Sequence, residues 1–319
     1  MAEKLLEAKN LKKYFKTKRG MLHAVDDVDF VINKGETLGL VGESGCGKST
    51  VGRTLLRLLD ATGGEVIFNG EDILKYPRSK MRNLRENMQI VFQDPFSSLN
   101  PRQSVSEIIG EPLLINKKTA NRAELRSKVL SLMSTVGLAE RLENSYPHEL
   151  DGGRRQRIGV ARALALNPQF IVMDEPVSAL DVSIQAQILN LMDNLQKELG
   201  LTYLFISHDL GVIKHVSNNI AVMYLGKIVE MSDYKSLFED PLHPYTKALL
   251  SAIPVPDVDE KRERIILEGD VPSPIEPPPG CRFYGRCFAR IDKCKNITPE
   301  LQTISEGRLC ACHIVEPRA

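Results

Sequence analysis

Eight residues constrain this chain more than any others: Gly42-Glu43-Ser44-Gly45-Cys46-Gly47-Lys48-Ser49. They follow G-x-x-x-x-G-K-[ST], the pattern of a loop that wraps the phosphates of a Mg-nucleotide. Glycines at 42, 45 and 47 let backbone N–H groups turn inward with no Cβ in the way. The amides of Ser44 and Cys46 and the helix N-terminus around Thr50 would complete the cradle. Lys48 would reach the β- and γ-phosphates, and Ser49 would bind Mg²⁺. The flanks agree. Glu36–Val41 reads as a buried strand entering the loop, and Thr50–Leu59 as the helix leaving it, with Leu55, Leu56, Leu58 and Leu59 on an apolar side. Cys46 reads as a tolerated loop residue rather than a ligand or nucleophile.

A chain of 319 residues has room for one large domain and an appendage. Its net charge of +1 projects no strong field toward nucleic acid or anionic lipid. No apolar run approaches the roughly 18 residues that span a membrane. The start, Met1-Ala2-Glu3-Lys4-Leu5-Leu6, lacks the basic and apolar blocks of a secretory signal, so a cytosolic location is expected. Five of the six cysteines crowd between Cys281 and Cys312. In a reducing compartment such crowding suggests a metal more than disulfides.

Strand patterns fall at Leu5–Ala8, Ala24–Ile32, Glu36–Val41, Glu65–Phe68 and Gln89–Phe92. Helical spacing dominates Ser104–Ala165, where Leu125, Val129, Leu132 and Val136 lie on one side. Strands resume at Phe170–Met173, Tyr203–Ser207, Ile220–Tyr224 and Ile228–Glu230, with a helix near Ser183–Glu198. The pattern is an α/β core interrupted by a helical insert. Beyond Pro241, prolines at 254, 256, 272, 274 and 277–279 predict an irregular tail ending in the cysteines.

Phe170-Ile171-Val172-Met173-Asp174-Glu175 places two carboxylates after four apolar residues. A buried strand would carry both acids to its carboxyl end, beside the phosphate loop. Asp174 would hold Mg²⁺, directly or through water, and Glu175 would act as general base on the attacking water. Gln93 follows an earlier strand, and Leu150-Asp151-Gly152-Gly153-Arg154-Arg155-Gln156-Arg157 opens a helix upstream of Asp174. Ser178-Ala179-Leu180-Asp181 comes next, and His208 follows the strand Tyr203–Ser207.

This order of segments, over roughly residues 5–235, resembles the ATP-binding subunit of ABC transporters. The resemblance implies a RecA-like P-loop core with an antiparallel β subdomain, a helical subdomain at about 94–166 within an ATPase domain at 1–240, and a tail at 241–319. It implies that Gln93 senses Mg²⁺ and the attacking water and that His208 contacts the γ-phosphate. An aromatic residue near the first strand would stack on adenine; Phe15 matches best, with Tyr14 as the neighbouring candidate. The segment Asp151–Gly153 would face the nucleotide held by a second subunit, so that ATP closes a dimer and hydrolysis opens it.

The family's segment at 150–154 usually reads Leu-Ser-Gly-Gly-Gln; here Asp151 and Arg154 replace Ser and Gln. Asp keeps the N-cap function. A carboxylate near a γ-phosphate, however, costs about 4 kcal/mol per charge pair at about 4 Å and an effective dielectric near 20. Arg154 could offset part of that cost. The expectation is a heterodimer with one impaired site.

Leu242-His243-Pro244-Tyr245-Thr246-Lys247-Ala248-Leu249-Leu250, Gln93–Pro101 and Gly280-Cys281-Arg282-Phe283 resemble segments of peptide and nickel importer ATPases. By that resemblance the stretch after Gln93 docks a membrane subunit, with Phe96 and Leu99 as apolar contacts. Cys281, Cys287, Cys294 and Cys312 are separated by 5, 6 and 17 residues, unlike the C-x2-C knuckle of many zinc sites. The resemblance implies a 4Fe–4S cluster, with Zn²⁺ as the alternative, and prefers Cys312 over Cys310. The implied partners are a homologous ATPase, two membrane permeases and an extracytoplasmic substrate-binding protein, at the cytoplasmic face of the cell membrane, with no nucleic acid. A soluble ABC ATPase of translation or DNA maintenance fits less well, since one cassette and near-neutral charge are seen. A P-loop kinase or GTPase leaves the segments at 150–157 and 208 unexplained.

Overall fold

The computed structural model describes residues 3–253 and 264–317. Met1, Ala2 and the tail prolines Pro254 and Pro256 lie outside the described residues. In chain order the strands and helices are β1 Lys4–Thr17, β2 Gly20–Asn33, β3 Thr37–Val41, α1 Lys48–Leu55, β4 Gly63–Phe68, β5 Glu71–Asp72, α2 Arg78–Leu84, β6 Met88–Val91, α3 Pro95–Ser98, α4 Val105–Ile115, α5 Arg122–Thr135 and α6 Gly152–Leu164. Then come β7 Phe170–Asp174, α7 Val182–Leu199, β8 Thr202–Ser207, α8 Leu210–Val216, β9 Asn219–Tyr224, β10 Lys227–Asp233, α9 Tyr234–Glu239, α10 Pro244–Ser251, α11 Lys293–Asn296, β11 Gln302–Ser305 and β12 Arg308–Cys310. They form two compact units, one of Met1–Lys75 with Phe205–Ala319, the other of Tyr76–Leu204.

The first unit holds an antiparallel sheet in the order β2-β1-β4-β5. Ala8 of β1 pairs with Phe30 on one side and Val66 on the other. Leu6, Leu11, Val28, Phe30, Val66 and Phe68 bury one face of it. β1 runs well past the expected Leu5–Ala8. Register shifts between Ala8 and Leu11 and between Leu11 and Lys13, with Asn10 at φ +45°, break the two-residue alternation that would have revealed the extension. In the same unit β3 lies parallel to β9, and β9 turns back on β10 through Leu225 and Gly226, both at positive φ.

The second unit places β6 parallel to β7, with Met88 opposite Phe170 and Val91 opposite Met173. Val105, Ile108, Ile109, Val129, Met133 and Ile158 bury the facing sides of α4, α5 and α6. Caps explain where these helices start. Ser104 and Glu107 form a reciprocal capping box on α4, Asn121 accepts the Glu124 N–H, and Asp181 accepts the Ile184 N–H of α7.

Three sequence expectations need correction. The helix after the phosphate loop ends at Leu55, not Leu59: Arg57 takes φ +48°, and Leu58 is left exposed. Leu99 is 2 % exposed and so is unavailable as a surface contact, whereas Phe96 is exposed, with the Arg155 guanidinium 5.0 Å from its ring. The tail is less irregular than its prolines suggest. Pro244 stands at the first turn of α10, where its missing N–H costs nothing, and β12 pairs with β10 while β11 pairs with β12.

Candidate nucleotide site

In the first unit the phosphate loop follows the fully buried β3, and α1 begins at Lys48 with Gly47 as its N-cap. Gly47 takes φ +109°, and a Cβ there would meet the Ala24 carbonyl oxygen at 2.0 Å. A Cβ on Gly42 would meet the Met223 carbonyl oxygen at 2.1 Å. These approaches make glycine obligatory at both ends of the loop. Ser44 and Gly45 are exposed at its tip, while Cys46 is buried and its thiol pKa is raised, chiefly by burial. That supports a structural Cys46, because reactive thiols sit in exposed sites that favour the thiolate. Lys48 is 4 % exposed; its Nζ donates to the carbonyls of Gly42 at 2.7 Å and Glu43 at 3.0 Å. Ser49 and Thr50 lie in the first turn of α1, Thr50 half-buried.

Phe15 is half-buried on β1, with the Lys13 ammonium 4.8 Å from its ring centre. Tyr14 is committed elsewhere. Its ring stacks on His23 with centroids 4.0 Å apart, and its hydroxyl donates to Asp26. Burial first, then that hydrogen bond to a carboxylate, push the Tyr14 pKa above its ordinary value. His208 is exposed immediately after β8.

In the second unit β7 is buried along its whole length and ends at Asp174, 1 % exposed. The next residue, Glu175, takes φ +49° and is 8 % exposed. Gln93, beyond the end of β6, donates from Nε2 to Glu175 Oε2 at 2.9 Å. Two residues 82 positions apart are therefore joined at the carboxyl ends of neighbouring parallel strands. Asp151 caps α6 as its sequence suggests: its Oδ1 accepts the Arg154 N–H at 2.8 Å, and the helix starts at Gly152. The Arg154 Nε lies 3.4 Å from Asp151 Oδ2. Gly152 and Gly153 pack closely, since Cβ atoms there would press on Leu180 and Ile184.

The tail contributes contacts that spacing alone does not reveal. Tyr245 Oη accepts the Glu43 N–H of the phosphate loop at 2.9 Å, and Arg286 pairs with the Glu43 carboxylate at 2.8 Å. Chain separations of 202 and 243 residues hide both from any local pattern. Glu230, fully buried on β10, accepts the N–H groups of Leu242 and His243, each at 2.8 Å. His243 Nδ1 in turn accepts the Tyr245 N–H at 3.0 Å; burial alone lowers the His243 pKa to about 3 and keeps the ring neutral.

All six cysteines are free thiols. Burial pushes Cys281 up to about 11, and its neighbours Cys294, Cys312 and Cys287 add to the shift. The Cys281 N–H also donates to the Cys294 carbonyl at 2.8 Å. Cys281 and Cys294 are thus joined through their backbones. Among the described residues, however, no group of three or more His, Cys, Asp or Glu is arranged to hold a metal ion. Thiolate donors suit an iron–sulfur cluster or zinc in kind, but their present placement does not form a cage.

Comparison with known proteins agrees with this geometry. A family model described as ABC transporter matches residues 25–178, and one described as oligopeptide/dipeptide transporter, C-terminal region, matches residues 229–294. The oligopeptide transport ATP-binding protein AppF of Bacillus subtilis (strain 168) is 51% identical over 98% of both chains. The dipeptide transport ATP-binding protein DppF of Escherichia coli (strain K12) is 48% identical, over 99% of this chain and 96% of its own. Among solved structures, the dimeric post-hydrolysis state of the ATP-binding cassette MJ0796 bound to ADP and Pi superposes with a TM-score of 0.67 and 29% identity, covering 72% of this chain and 99% of its own. The likeness to the transport proteins runs the whole length, tail included, and on that ground the chain belongs to the ABC transporter family, as an ATP-hydrolysing cassette of the oligopeptide and dipeptide transport group.

Proposed function

We propose that this ATPase powers peptide import across the cytoplasmic membrane. In this reading it pairs with a second, homologous ATPase, sits on the cytoplasmic face against two permeases, and receives solute through an extracytoplasmic binding protein. The observation that carries the peptide reading is the tail: the match to the oligopeptide/dipeptide C-terminal region spans residues 229–294, beyond the general cassette match. No helix among the described residues is long and apolar enough to cross a membrane, which suits a subunit that reaches the bilayer through partners. The exposed Phe96 is the contact we assign to a permease. In the reconstituted transporter, peptide-loaded binding protein should stimulate ATP hydrolysis. Stimulation by a nickel chelate or an oligosaccharide instead, with peptides inert, would move the assignment to that cargo.

Residue roles are proposed from side-chain chemistry and from the order of the segments in the sequence. Lys48 and the loop amides from Gly42 to Thr50 hold the phosphates, and Phe15 stacks on adenine, Tyr14 being occupied by His23 and Asp26. Ser49, Gln93 and Asp174 supply hydroxyl, amide and carboxylate oxygens, a hard donor set that suits Mg²⁺. When bound, Mg²⁺ draws charge from the phosphate oxygens and favours displacement at the γ-phosphate. Glu175 takes the proton of the attacking water, oriented by Gln93, and His208 contacts the γ-phosphate.

Asp151, Gly152 and Gly153 are assigned to the partner's nucleotide. Asp151 is already committed to the Arg154 N–H and lies close to the Arg154 guanidinium, which softens its charge without supplying the missing hydroxyl. We therefore expect one impaired site in the heterodimer. Asp151→Ser should raise the steady-state ATPase rate of the assembled complex by about twofold, the gain from adding a second equal site. An unchanged rate removes the asymmetry.

Cys281, Cys287, Cys294 and Cys312 are proposed as ligands of a 4Fe–4S cluster, with Zn²⁺ second. Support comes from the soft donor set and from the backbone bond that joins Cys281 to Cys294. Anaerobically purified protein should be brown, with absorbance at about 400 nm that chelators and oxygen bleach. A colourless protein carrying one zinc per chain decides for zinc, and metal-free protein of full stability excludes both.

A further inference from the structure

Every polar group of Glu43, the second residue of the phosphate loop, is taken. Its carbonyl accepts from Lys48 Nζ, its N–H donates to Tyr245 Oη at 2.9 Å, and its carboxylate pairs with Arg286 at 2.8 Å. Two of these three partners come from the tail. Tyr245 is fully buried, with its ring against Tyr224 at 4.7 Å and Phe283 at 5.4 Å. Arg286 is 10 % exposed and closes a short turn, its N–H donating to the Phe283 carbonyl at 3.0 Å. Burial opposes the Arg286 charge, but Glu43 and Tyr224 outweigh it and raise its pKa.

The contact has an electrostatic consequence. A carboxylate within a phosphate loop repels the ligand that the loop exists to hold. Paired with a guanidinium it presents little net charge, and the anchored Glu43 backbone keeps a glycine-rich segment from wandering. A loop held in its binding conformation before the ligand arrives loses less entropy on binding. The MJ0796 cassette aligns over 72% of this chain and 99% of its own, so it has no counterpart for more than a quarter of it.

We propose that Arg286 and Tyr245 are positioning residues for the nucleotide: through Glu43 they neutralise and brace the phosphate loop, so that the importer tail sets nucleotide affinity. This rests on the reading that residues 42–49 hold the phosphates. The variants are made in the full chain and assayed in the assembled transporter for ATP KM and kcat, with Mg-ADP Kd measured by calorimetry on the full chain. Arg286→Ala should raise KM and Kd about tenfold, the scale of one charge-assisted contact, with kcat nearly unchanged. Adding Glu43→Gln to that variant should restore both constants to within about threefold, because no bare carboxylate remains. Tyr245→Phe, which keeps the packing and loses only the hydroxyl, should raise them about threefold. It also serves as the test if Arg286→Ala does not fold. Unchanged constants in Arg286→Ala, or no recovery in the double variant, overturn the proposal. If Lys48→Ala still binds Mg-ADP normally, the phosphate-loop reading itself fails, a result distinct from either.

Discussion

Glu175→Gln is expected to slow ATP hydrolysis by about 10²- to 10³-fold, the usual contribution of a general base, and to leave an ATP-bound dimer that no longer opens. The structure makes this substitution a clean one. Gln93 Nε2 donates to Glu175 Oε2 at 2.9 Å, and a glutamine amide oxygen can accept the same bond. Glu175 also sits at φ +49°, a conformation set by the backbone at the end of β7 and not by the side-chain charge. Geometry is retained and basicity is lost. Single-turnover hydrolysis in the assembled transporter, with size-exclusion chromatography in ATP, measures both outcomes. A variant that hydrolyses at the normal rate rejects Glu175 as the base.

Glu230→Ala should destabilise the chain by about 3 kcal/mol, because a fully buried carboxylate that receives two backbone N–H groups disappears. Those donors belong to Leu242 and His243, at the entry to α10, and nothing in alanine replaces the acceptor. Burial raises the Glu230 pKa, and the N–H groups of Leu242 and His243 act in the opposite direction. Glu230→Gln retains one acceptor oxygen and should lose about half as much. Urea unfolding of the three proteins distinguishes these values. Equal stability of the wild type and Glu230→Ala would mean that the α10 entry is held by other contacts.

What could be read from the sequence was whatever is written locally. The phosphate loop lies within eight consecutive residues, β7 is an unbroken apolar run up to its terminal Asp174, and Asp151 sits where an N-cap belongs. Leu99 misled because an apolar residue in a polar stretch looks the same whether it faces a partner or its own core. The end of α1 misled because Leu58 and Leu59 continue the apolar spacing after Arg57 has already left helical geometry. The bonds from Tyr245 and Arg286 to Glu43 depend on how β3, β9 and β10 bring distant segments of one unit together, and no periodicity records that. For the cysteines, the donors were legible but not their spacing in three dimensions, which is what coordination depends on.

Asp26 stands on β2 and meets Arg282, which also donates to the Leu225 carbonyl, together with the Tyr14 hydroxyl and Lys227 at 3.7 Å. The side chains of Arg282 and Asp26 are 8 % and 9 % accessible. A shortened version of the protein ending near residue 240 would take Arg282 from that aspartate and leave the Tyr14 hydroxyl and Lys227 as its compensation, a weaker set for a nearly dry carboxylate. Anyone preparing a minimal cassette by trimming this polypeptide should expect some loss of stability from the missing guanidinium, which keeping the roughly eighty terminal residues avoids.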